Sequence, residues 1–309
     1  MDKRLLTAAI LLPVTIFLLG AALFSGRTAG AAGAVPVVPN LEAETCVGIA
    51  IEVELQGTDA DSDIVLYQLT EQPRLGEAHI EGTTLSYKPG VKTGKDRFSY
   101  TAVDAAGNTA KTGTITVTIG KNRAKLTYAD MEGNQAHYAA LCLSEQEIMT
   151  GECIGGCYFF RPTQTVTRSE FIAMAAALAA LPVEPTGQTD FADDAGLSEW
   201  AKPYVSTAAA NGLVNGYKTS GGLSEIRGQN PITLAEASVV INNLLGESLN
   251  GLQYTIAGVS DDMDWAQQAV SSLDRLDVIS PLTAMCDDSD PITRQDACDM
   301  LYRAMQLLE

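Results

Sequence analysis

The chain has 309 residues, of which 46% are hydrophobic and 19% are charged. This is the composition of a globular protein rather than of a disordered tail, and the length exceeds one typical core, so two or more folded units are expected. With 38 acidic residues against 20 basic ones, the formal net charge is −18. Such a chain repels polyanions, so nucleic acid is not an expected partner. Any anionic ligand would have to be held by hydrogen-bond donors or cations at the binding site itself.

Residues 1–34 have the features of an export signal. Lys3 and Arg4 precede an uncharged run over residues 5–26, and residues 32–34 (Ala-Gly-Ala) have the form that a signal peptidase accepts. We therefore expect Sec-dependent export to the extracellular side, with cleavage that removes three basic residues and one acidic residue and leaves 17 basic against 37 acidic ones. Because the apolar run is long enough to span a bilayer, an uncleaved anchor, the one expected membrane contact, is the alternative.

Residues 36–120 predict an all-β sandwich, which the motifs described below make immunoglobulin-like by resemblance. Apolar residues at positions 49, 51, 53 and 55 alternate with acidic and amide residues at 52, 54 and 56, which is the pattern of a half-buried strand. Further strands are predicted at residues 64–69, 77–80, 84–88, 97–103 and 112–119, separated by Gly, Pro, Asp and Asn. Many short strands in about 85 residues are typical of a two-sheet sandwich.

Several short motifs of this region resemble the cadherin-like and bacterial immunoglobulin-like modules of surface proteins. They are Gln72-Pro73, residues 85–89 (Leu-Ser-Tyr-Lys-Pro), residues 94–100 (Gly-Lys-Asp-Arg-Phe-Ser-Tyr) and residues 104–108 (Asp-Ala-Ala-Gly-Asn). The resemblance implies a module that is displayed outward or acts as a spacer, and it does not identify what the module contacts.

Alternate acidic residues in one turn of this region, Asp59, Asp61 and Asp63, are candidate calcium ligands, with Asp104 as a fourth. Carboxylate oxygens suit Ca²⁺, and alternate carboxylates in a turn can converge on one ion. The alternative is a solvated acidic turn. Apart from this calcium, no cofactor is expected.

From Lys121 the composition becomes alanine-rich and amphipathic, which predicts a linker over residues 121–125 and a helical second half. One pattern recurs there, at residues 166–170 (Val-Thr-Arg-Ser-Glu), 232–236 (Ile-Thr-Leu-Ala-Glu) and 292–296 (Ile-Thr-Arg-Gln-Asp). The threonine can cap a helix, the acid can reach back to the cap, and the preceding Val or Ile can act as a staple. Three capping boxes are therefore predicted: Thr167 with Glu170, Thr233 with Glu236, and Thr293 with Asp296.

Capping does not explain the arginines in this pattern. Arg168 and Arg294 stand in the first turn of their predicted helices, where the positive end of the helix dipole disfavours a cation. A guanidinium beside free helix amides is well suited to bind a carboxylate or phosphate. The alternative is a salt bridge to an acidic neighbour, and Leu234 breaks the pattern in the middle repeat.

The only two tryptophans, Trp200 and Trp265, begin the predicted helices upstream of the second and third capping motifs. Each can pack the two helices of its repeat or present its face to a sugar ring, and the large indole surface permits both. They are therefore candidate binding residues alongside the arginines.

The second half resembles three S-layer homology modules, with Thr-Arg-Ser-Glu and Thr-Arg-Gln-Asp where that family has Thr-Arg-Ala-Glu. The resemblance implies repeats at residues 126–186, 187–250 and 251–309 that form a pseudo-threefold helical bundle, so that the whole chain is multidomain. It also implies grooves that bind secondary cell-wall polysaccharide bearing ketal-linked pyruvate.

Within that family, the signature arginine matches Arg168 and Arg294, and the resemblance implies that it meets the pyruvyl carboxylate. Trp200 and Trp265 match the aromatic residue that begins a helix in each module. In the first repeat, Tyr138 takes this position only if its helix is shortened by about one turn. A competing register places Gln135 there instead.

Six cysteines in an exported chain are expected to be disulfide partners rather than metal ligands. Cys286 with Cys298 is the preferred bridge because both lie within one repeat. Cys142, Cys153 and Cys157 form a second local group, one member of which can pair with Cys46. The alternative is that several of the six are reduced and buried.

The expected function is that of a non-catalytic protein anchored to the bacterial cell wall or S-layer. The two histidines, His79 and His137, have no recognisable catalytic partner, and no zinc-ligand spacing is present. One alternative is a membrane-anchored adhesion protein whose repeats form a platform for another protein; a more distant one is a wall-glycan hydrolase that uses two carboxylates. Besides polysaccharide, surface-protein or lattice partners are expected.

Overall fold

The structure is a computed structural model that describes residues 33–60, 62–248, 265–279, 283 and 287–308. Residues 1–32, which carry nearly all of the predicted export segment, lie outside the described residues. Within the ranges described, no helix combines the length and the apolar character needed to cross a membrane.

The first region consists of two β-sheets, as the sequence predicted. Its strands are β1 (Leu41–Cys46), β2 (Ile51–Glu54), β3 (Ile64–Glu71), β4 (Gly76–Glu81), β5 (Thr84–Pro89), β6 (Gly94–Asp104) and β7 (Gly113–Gly120). The sheets have the orders β1-β7-β6-β3 and β2-β5-β4. The predicted strands are present with ends within a few residues, whereas β1, which pairs in parallel with β7, was missed.

The core between these sheets is aromatic and contains the buried carboxylate of Asp96. Tyr87 and Phe98 are completely buried and stack with ring centres 5.7 Å apart. Asp96, which is 2% exposed, accepts hydrogen bonds from the amides of Arg74 and Leu75 and from the Tyr87 hydroxyl, at 2.9, 2.7 and 2.9 Å. The charge of Asp96 is thereby satisfied inside the core.

The second region is mainly helical. Its helices are α1 (His137–Glu145), α2 (Arg168–Leu178), α3 (Ala201–Ala210), α4 (Leu234–Ser248), α5 (Trp265–Arg275) and α6 (Arg294–Leu308). The predicted all-α class needs correction, because two antiparallel hairpins interrupt the helices: β8 (Glu152–Ile154) with β9 (Cys157–Phe159), and β10 (Tyr217–Lys218) with β11 (Ser224–Glu225).

Three backbone hydrogen bonds join the segments before α2, α4 and α6 into a closed ring. The amide of Val166 donates to the carbonyl of Ile292 at 3.2 Å, Ile292 donates to Ile232 at 3.0 Å, and Ile232 donates to Val166 at 2.9 Å. None of the three side chains is more than 1% exposed. The ring therefore brings three helix starts, far apart in sequence, to one place in the core.

The two regions share a packed boundary. Cys46, the last residue of β1, and Ile49, which lies between β1 and β2, are buried within the hydrophobic cluster of the helical region. Tyr302 on α6 donates a hydrogen bond to Glu44 on β1 at 2.7 Å, and its ring meets that of Tyr138 edge to face. The helical core therefore includes residues from the β-region.

Candidate ligand-binding groove

Each capping motif begins a helix as the sequence predicted. At α2, the amide of Thr167 donates to Glu170 Oε2 at 2.8 Å, and the amide of Glu170 donates to Thr167 Oγ1 at 3.3 Å. Thr233 with Glu236 and Thr293 with Asp296 make the same reciprocal pairs of hydrogen bonds.

The remaining amides of the first turn are also occupied, which corrects the expectation of free helix amides. At α2, the two amides that follow Thr167 donate to the carbonyls of Asn230 and Gly228, both at 2.9 Å. At α4 the carbonyls are those of Asp290 and Asp288, and at α6 those of Gln164 and Pro162. The segment before one helix thus caps the next helix around the ring, and only side chains remain to bind a ligand.

Arg168, the first residue of α2, carries a guanidinium that is buried but incompletely paired. Its side chain is 9% exposed, and its Nη1 lies 3.7 Å from Glu236 Oε2. That distance exceeds the roughly 2.7–2.9 Å of a charge-assisted hydrogen bond. Its Cζ lies 5.1 Å from the centre of the Tyr217 ring, and its Nε has no hydrogen-bond partner in the described part of the chain. A buried donor in this state is the strongest indication of a ligand.

The guanidinium lines a cavity of about 240 Å³ between the 213–217 loop and one face of α4. The Tyr217 hydroxyl donates a hydrogen bond to Glu236, and burial together with this bond raises the pKa of Tyr217 to about 12. Asn215 and Asn243 add amide groups to the lining. A cation, a carboxylate, amides and an aromatic ring in one cavity suit a polar ligand that bears an acidic group.

Arg294 occupies the matching place on α6, but its guanidinium is held by the protein. Its Nε donates to the carbonyl of Phe160 at 2.8 Å and its Nη2 to the carbonyl of Thr150 at 2.9 Å. Its Cζ lies 4.9 Å from the centre of the Phe160 ring. Burial lowers the pKa of Arg294 below its ordinary value, and the negative charge of Glu170 opposes this shift. A ligand would have to compete with two backbone carbonyls here.

Neither Leu234 nor Trp200 lines the Arg168 cavity. Leu234 is 2% exposed and packs in the helical core, so the second arginine position is apolar. Trp200 is 51% exposed and meets Tyr204 edge to face, and it does not line the cavity. Trp265 begins α5, and its side chain lies outside the described residues.

Sequence reasoning missed Tyr217 and the loop that presents it. Gly216 has φ +69°, and a Cβ there would lie 2.6 Å from Phe191 Cε1, so the loop requires glycine. Gly151 is equally confined, because a Cβ would lie 2.4 Å from Tyr128 Cε1. Aligning these two glycines across the repeats identifies the loop.

The structure brings together three of the four predicted calcium ligands. One carboxylate oxygen from each of Asp59, Asp63 and Asp104 lies within 4.8 Å of the others, and Asp61 lies outside the described residues. Burial raises the pKa of Asp104, but hydrogen bonds from the side chain and amide of Asn108 and from nearby amides outweigh it and lower the pKa below its ordinary value. Asp104 is therefore ionised at neutral pH.

The predicted disulfides are not formed among the five cysteines that the structure describes. Cys298, the expected partner of Cys286, is a completely buried free thiol whose Sγ faces the carbonyl of Ala136 at 4.0 Å. Cys286 lies outside the described residues. Cys46 is also buried, and burial raises its thiol pKa to about 11. The packed helical core, rather than a bridge, holds both thiols in place.

The structure joins a two-sheet region to a helical region that holds a buried cation in a cavity. Residues 34–118 match the family model of the bacterial Ig domain, and residues 190–238 match that of the S-layer homology domain. The chain therefore contains a bacterial Ig domain and an S-layer homology domain, which associates it with the cell wall at the cell surface. Both matched domains are non-catalytic.

Two curated relatives are similar over a short segment. The exoglucanase XynX of Acetivibrio thermocellus is 37% identical over 94 residues, which is 29% of this chain and 8% of that protein. The amylopullulanase of Thermoanaerobacterium thermosulfurigenes is 35% identical over 94 residues, or 29% of this chain and 5% of that protein. The chain thus spans less than a tenth of either relative.

Solved structures match about a third of the chain at low similarity. The D00–D0 domain of intimin has a TM-score of 0.24 at 10% identity, over 30% of this chain and 52% of that chain. The SrpA adhesin of Streptococcus sanguinis has a TM-score of 0.23 at 15% identity, over 33% and 68%. At these scores the likenesses carry no functional argument.

Proposed function

We propose that this protein is held at the bacterial cell wall by its helical region, which binds secondary cell-wall polysaccharide, and that it displays the Ig-like region outward. The polysaccharide carries an acidic substituent, for which ketal-linked pyruvate is the proposed identity. The helical region acts as a pseudo-threefold unit of three S-layer homology repeats. The closed ring of Val166, Ile232 and Ile292 supports this arrangement, because each repeat caps the next one.

The observation that carries the proposal is the state of Arg168. Burying a guanidinium without full hydrogen bonding lowers the stability of the fold, so an arginine at this position indicates a function such as ligand binding. A ligand carboxylate in the cavity would complete the pairing of the Arg168 guanidinium, while Tyr217 and Asn243 line the space for the sugar. Arg168 and Glu236 leave the lining of the cavity with no formal net charge, so Glu236 repels a singly charged carboxylate less than it repels a phosphate.

Arg294 and Trp200 have secondary roles in this proposal. Arg294 is a weaker second candidate, because the carbonyls of Phe160 and Thr150 already accept hydrogen bonds from its guanidinium. Trp200 remains exposed beside Tyr204, where its ring is available to an extended glycan. Trp265 is assigned the same role by its matching place at the start of α5.

The test is sedimentation of the purified full chain with cell walls, before and after secondary polysaccharide is stripped from them. The full chain is needed because Cys46 and Ile49 of the β-region pack in the helical core. We expect stripping to abolish binding, and the Arg168→Ala/Arg294→Ala double variant to bind no better to intact walls than to stripped ones. Binding that survives stripping would contradict the proposal and favour a platform for another protein.

A second proposed site is calcium in the Ig-like region, supported by the convergence of Asp59, Asp63 and Asp104. Calcium would hold the 59–63 turn against the end of β6. We expect calcium, but not magnesium, to raise the thermal unfolding temperature of the full chain, and Asp63→Asn to remove that effect. An unfolding temperature independent of calcium would identify the cluster as a solvated acidic turn.

A further inference from the structure

The β8–β9 hairpin has an unusual surface. Every residue from Glu152 to Tyr158 is exposed, and the tip turns through Gly155 and Gly156, both with positive φ. Its side chains nevertheless include Cys153, Ile154, Cys157 and Tyr158, of which Ile154 is 52% and Tyr158 39% exposed. Small hairpins with both faces exposed to solvent normally carry polar side chains. These apolar and thiol groups therefore indicate a contact with another molecule.

The strand register prevents the two thiols from bridging each other. Cys153 lies opposite Tyr158, and Ile154 lies opposite Cys157. Because successive side chains in a strand point to opposite faces, Cys153 and Cys157 lie on opposite faces of the hairpin. A disulfide requires Cβ atoms about 3.5–4.5 Å apart that point towards each other. An internal bridge would therefore require the hairpin to lose its pairing.

The other described thiols are poor partners. Cys46 and Cys298 are completely buried. Cys142 is half-buried on α1, and burial raises the pKa of Cys142 to about 11, which suppresses its reactive thiolate. Cys286 lies outside the described residues, and among the described cysteines the hairpin thiols have no accessible partner within the chain.

The fold itself does not need these cysteines. The equivalent hairpin, β10–β11, carries Lys218 opposite Ser224, and their side chains hydrogen-bond at 3.0 Å. That hairpin presents its loop and Tyr217 with no cysteine. The thiols of β8–β9 are an addition to the repeat rather than part of its architecture.

We propose that Cys153 and Cys157 are intermolecular disulfide sites, through which one copy of this chain is joined to two further copies. The thiolate of Cys153 attacks a low-molecular-weight disulfide and releases one thiol. A hairpin thiolate of a second copy then attacks the Cys153 sulfur and releases the second thiol. Two protein thiols are oxidised, one small disulfide is reduced, and solvent exchanges the protons. Two faces per hairpin make the product a chain of copies rather than a closed pair.

The reaction itself does not depend on the proposed wall anchoring. That anchoring would promote the reaction, because it holds many copies at high local concentration on one surface. A double variant that no longer forms oligomers but still sediments with walls would separate the two proposals.

The experiment incubates the full chain with oxidised glutathione and follows products by non-reducing electrophoresis and intact mass. The wild type should give a reducible ladder beyond the dimer, Cys153→Ser and Cys157→Ser should each stop at the dimer, and the double variant should remain monomeric. Circular dichroism checks that all four are folded.

Three results would overturn the proposal. One is a wild-type monomer that has lost two hydrogens, which is an internal bridge. Another is a wild type that carries glutathione adducts without oligomers. The third is any covalent oligomer of the double variant, which would assign the reaction to another cysteine.

Discussion

Replacement of Ile232 by alanine tests whether the ring of helix starts makes the helical region one cooperative unit. Ile232 is completely buried, and its backbone both donates to Val166 and accepts from Ile292. Removing a buried isoleucine side chain to alanine costs about 2–5 kcal/mol in lost transfer energy and residual cavity. The backbone hydrogen bonds are retained, so the substitution weakens the packing that holds the ring together without removing any of its bonds.

The size of the expected effect follows from this cost. In a domain of about 150–250 residues, each kcal/mol lowers the unfolding temperature by about 2–4 °C, which predicts a decrease of about 4–20 °C. Hydrogen exchange through global opening should accelerate about 30-fold or more. Ile154→Ala is the matched control, because Ile154 is 52% exposed and its loss should change stability by at most about 0.5 kcal/mol.

Hydrogen exchange read by mass spectrometry locates the effect. If the ring couples the repeats, the slowest amides of α2 and α6 should accelerate as much as those of α4. Acceleration confined to α4 would refute the reasoning, because it would mean that the repeats open independently despite their shared hydrogen bonds.

Three further outcomes are expected. The side-chain hydrogen bond from Thr189, with smaller contributions from the Thr189 amide and from Lys202, lowers the pKa of Asp194. The stabilisation by the Asp194 carboxylate is therefore present above about pH 4 and is lost as pH falls. In a plot of the urea unfolding midpoint against pH, Asp194→Asn should flatten the acid side, and an unchanged acid side would contradict this. Asp96→Asn should destabilise the Ig-like region by about 1–3 kcal/mol in thermal unfolding, because the amide nitrogen opposes the donors from Arg74, Leu75 and Tyr87, whereas exposed Glu77→Gln should have little effect. Thiol titration of the native chain should modify Cys153 and Cys157 quickly and Cys46 and Cys298 only after unfolding, and early labelling of Cys298 would show that its burial is wrong.

The sequence contained enough information for most of the β-region. Strand alternation, as at Ile51 and Leu55, follows directly from the period of two, so these strands were predicted with ends close to those observed. β1 was missed because Glu42, Ala43 and Glu44 are poor strand formers, and its pairing with β7 is a long-range contact that local propensity does not report.

The capping boxes were predictable because each is a local interaction over four residues, as in Thr167 and Glu170. The carbonyls that accept from the next two amides of α2 were not predictable, because Asn230 and Gly228 are more than fifty residues away from Thr167 in sequence. The short strand β10 carries too few residues to show a period, which explains why Tyr217 was overlooked.

Arg168 and Arg294 show most clearly what the sequence cannot predict, because the same motif places the two arginines in different environments. The backbone of the loop beside each arginine decides the difference: it offers the carbonyls of Thr150 and Phe160 to Arg294, while Arg168 meets the Tyr217 ring and a distant Glu236. The arginine in the capping motif therefore predicts where a cation lies in the fold. The loop that faces the arginine determines whether the guanidinium is free to bind a ligand.

The most direct test of the central claim compares the dissociation constants of the wild type, Arg168→Gln and Arg97→Gln for cell walls carrying intact secondary polysaccharide. Arg97 is exposed on β6 of the Ig-like region, so its substitution removes the same charge away from the groove. Loss of a buried charge pair with the ligand carboxylate is expected to cost about 2–5 kcal/mol, a weakening of about 30-fold or more, while Arg97→Gln binds as the wild type does. Equal affinities for all three proteins would contradict a groove that holds the glycan through Arg168.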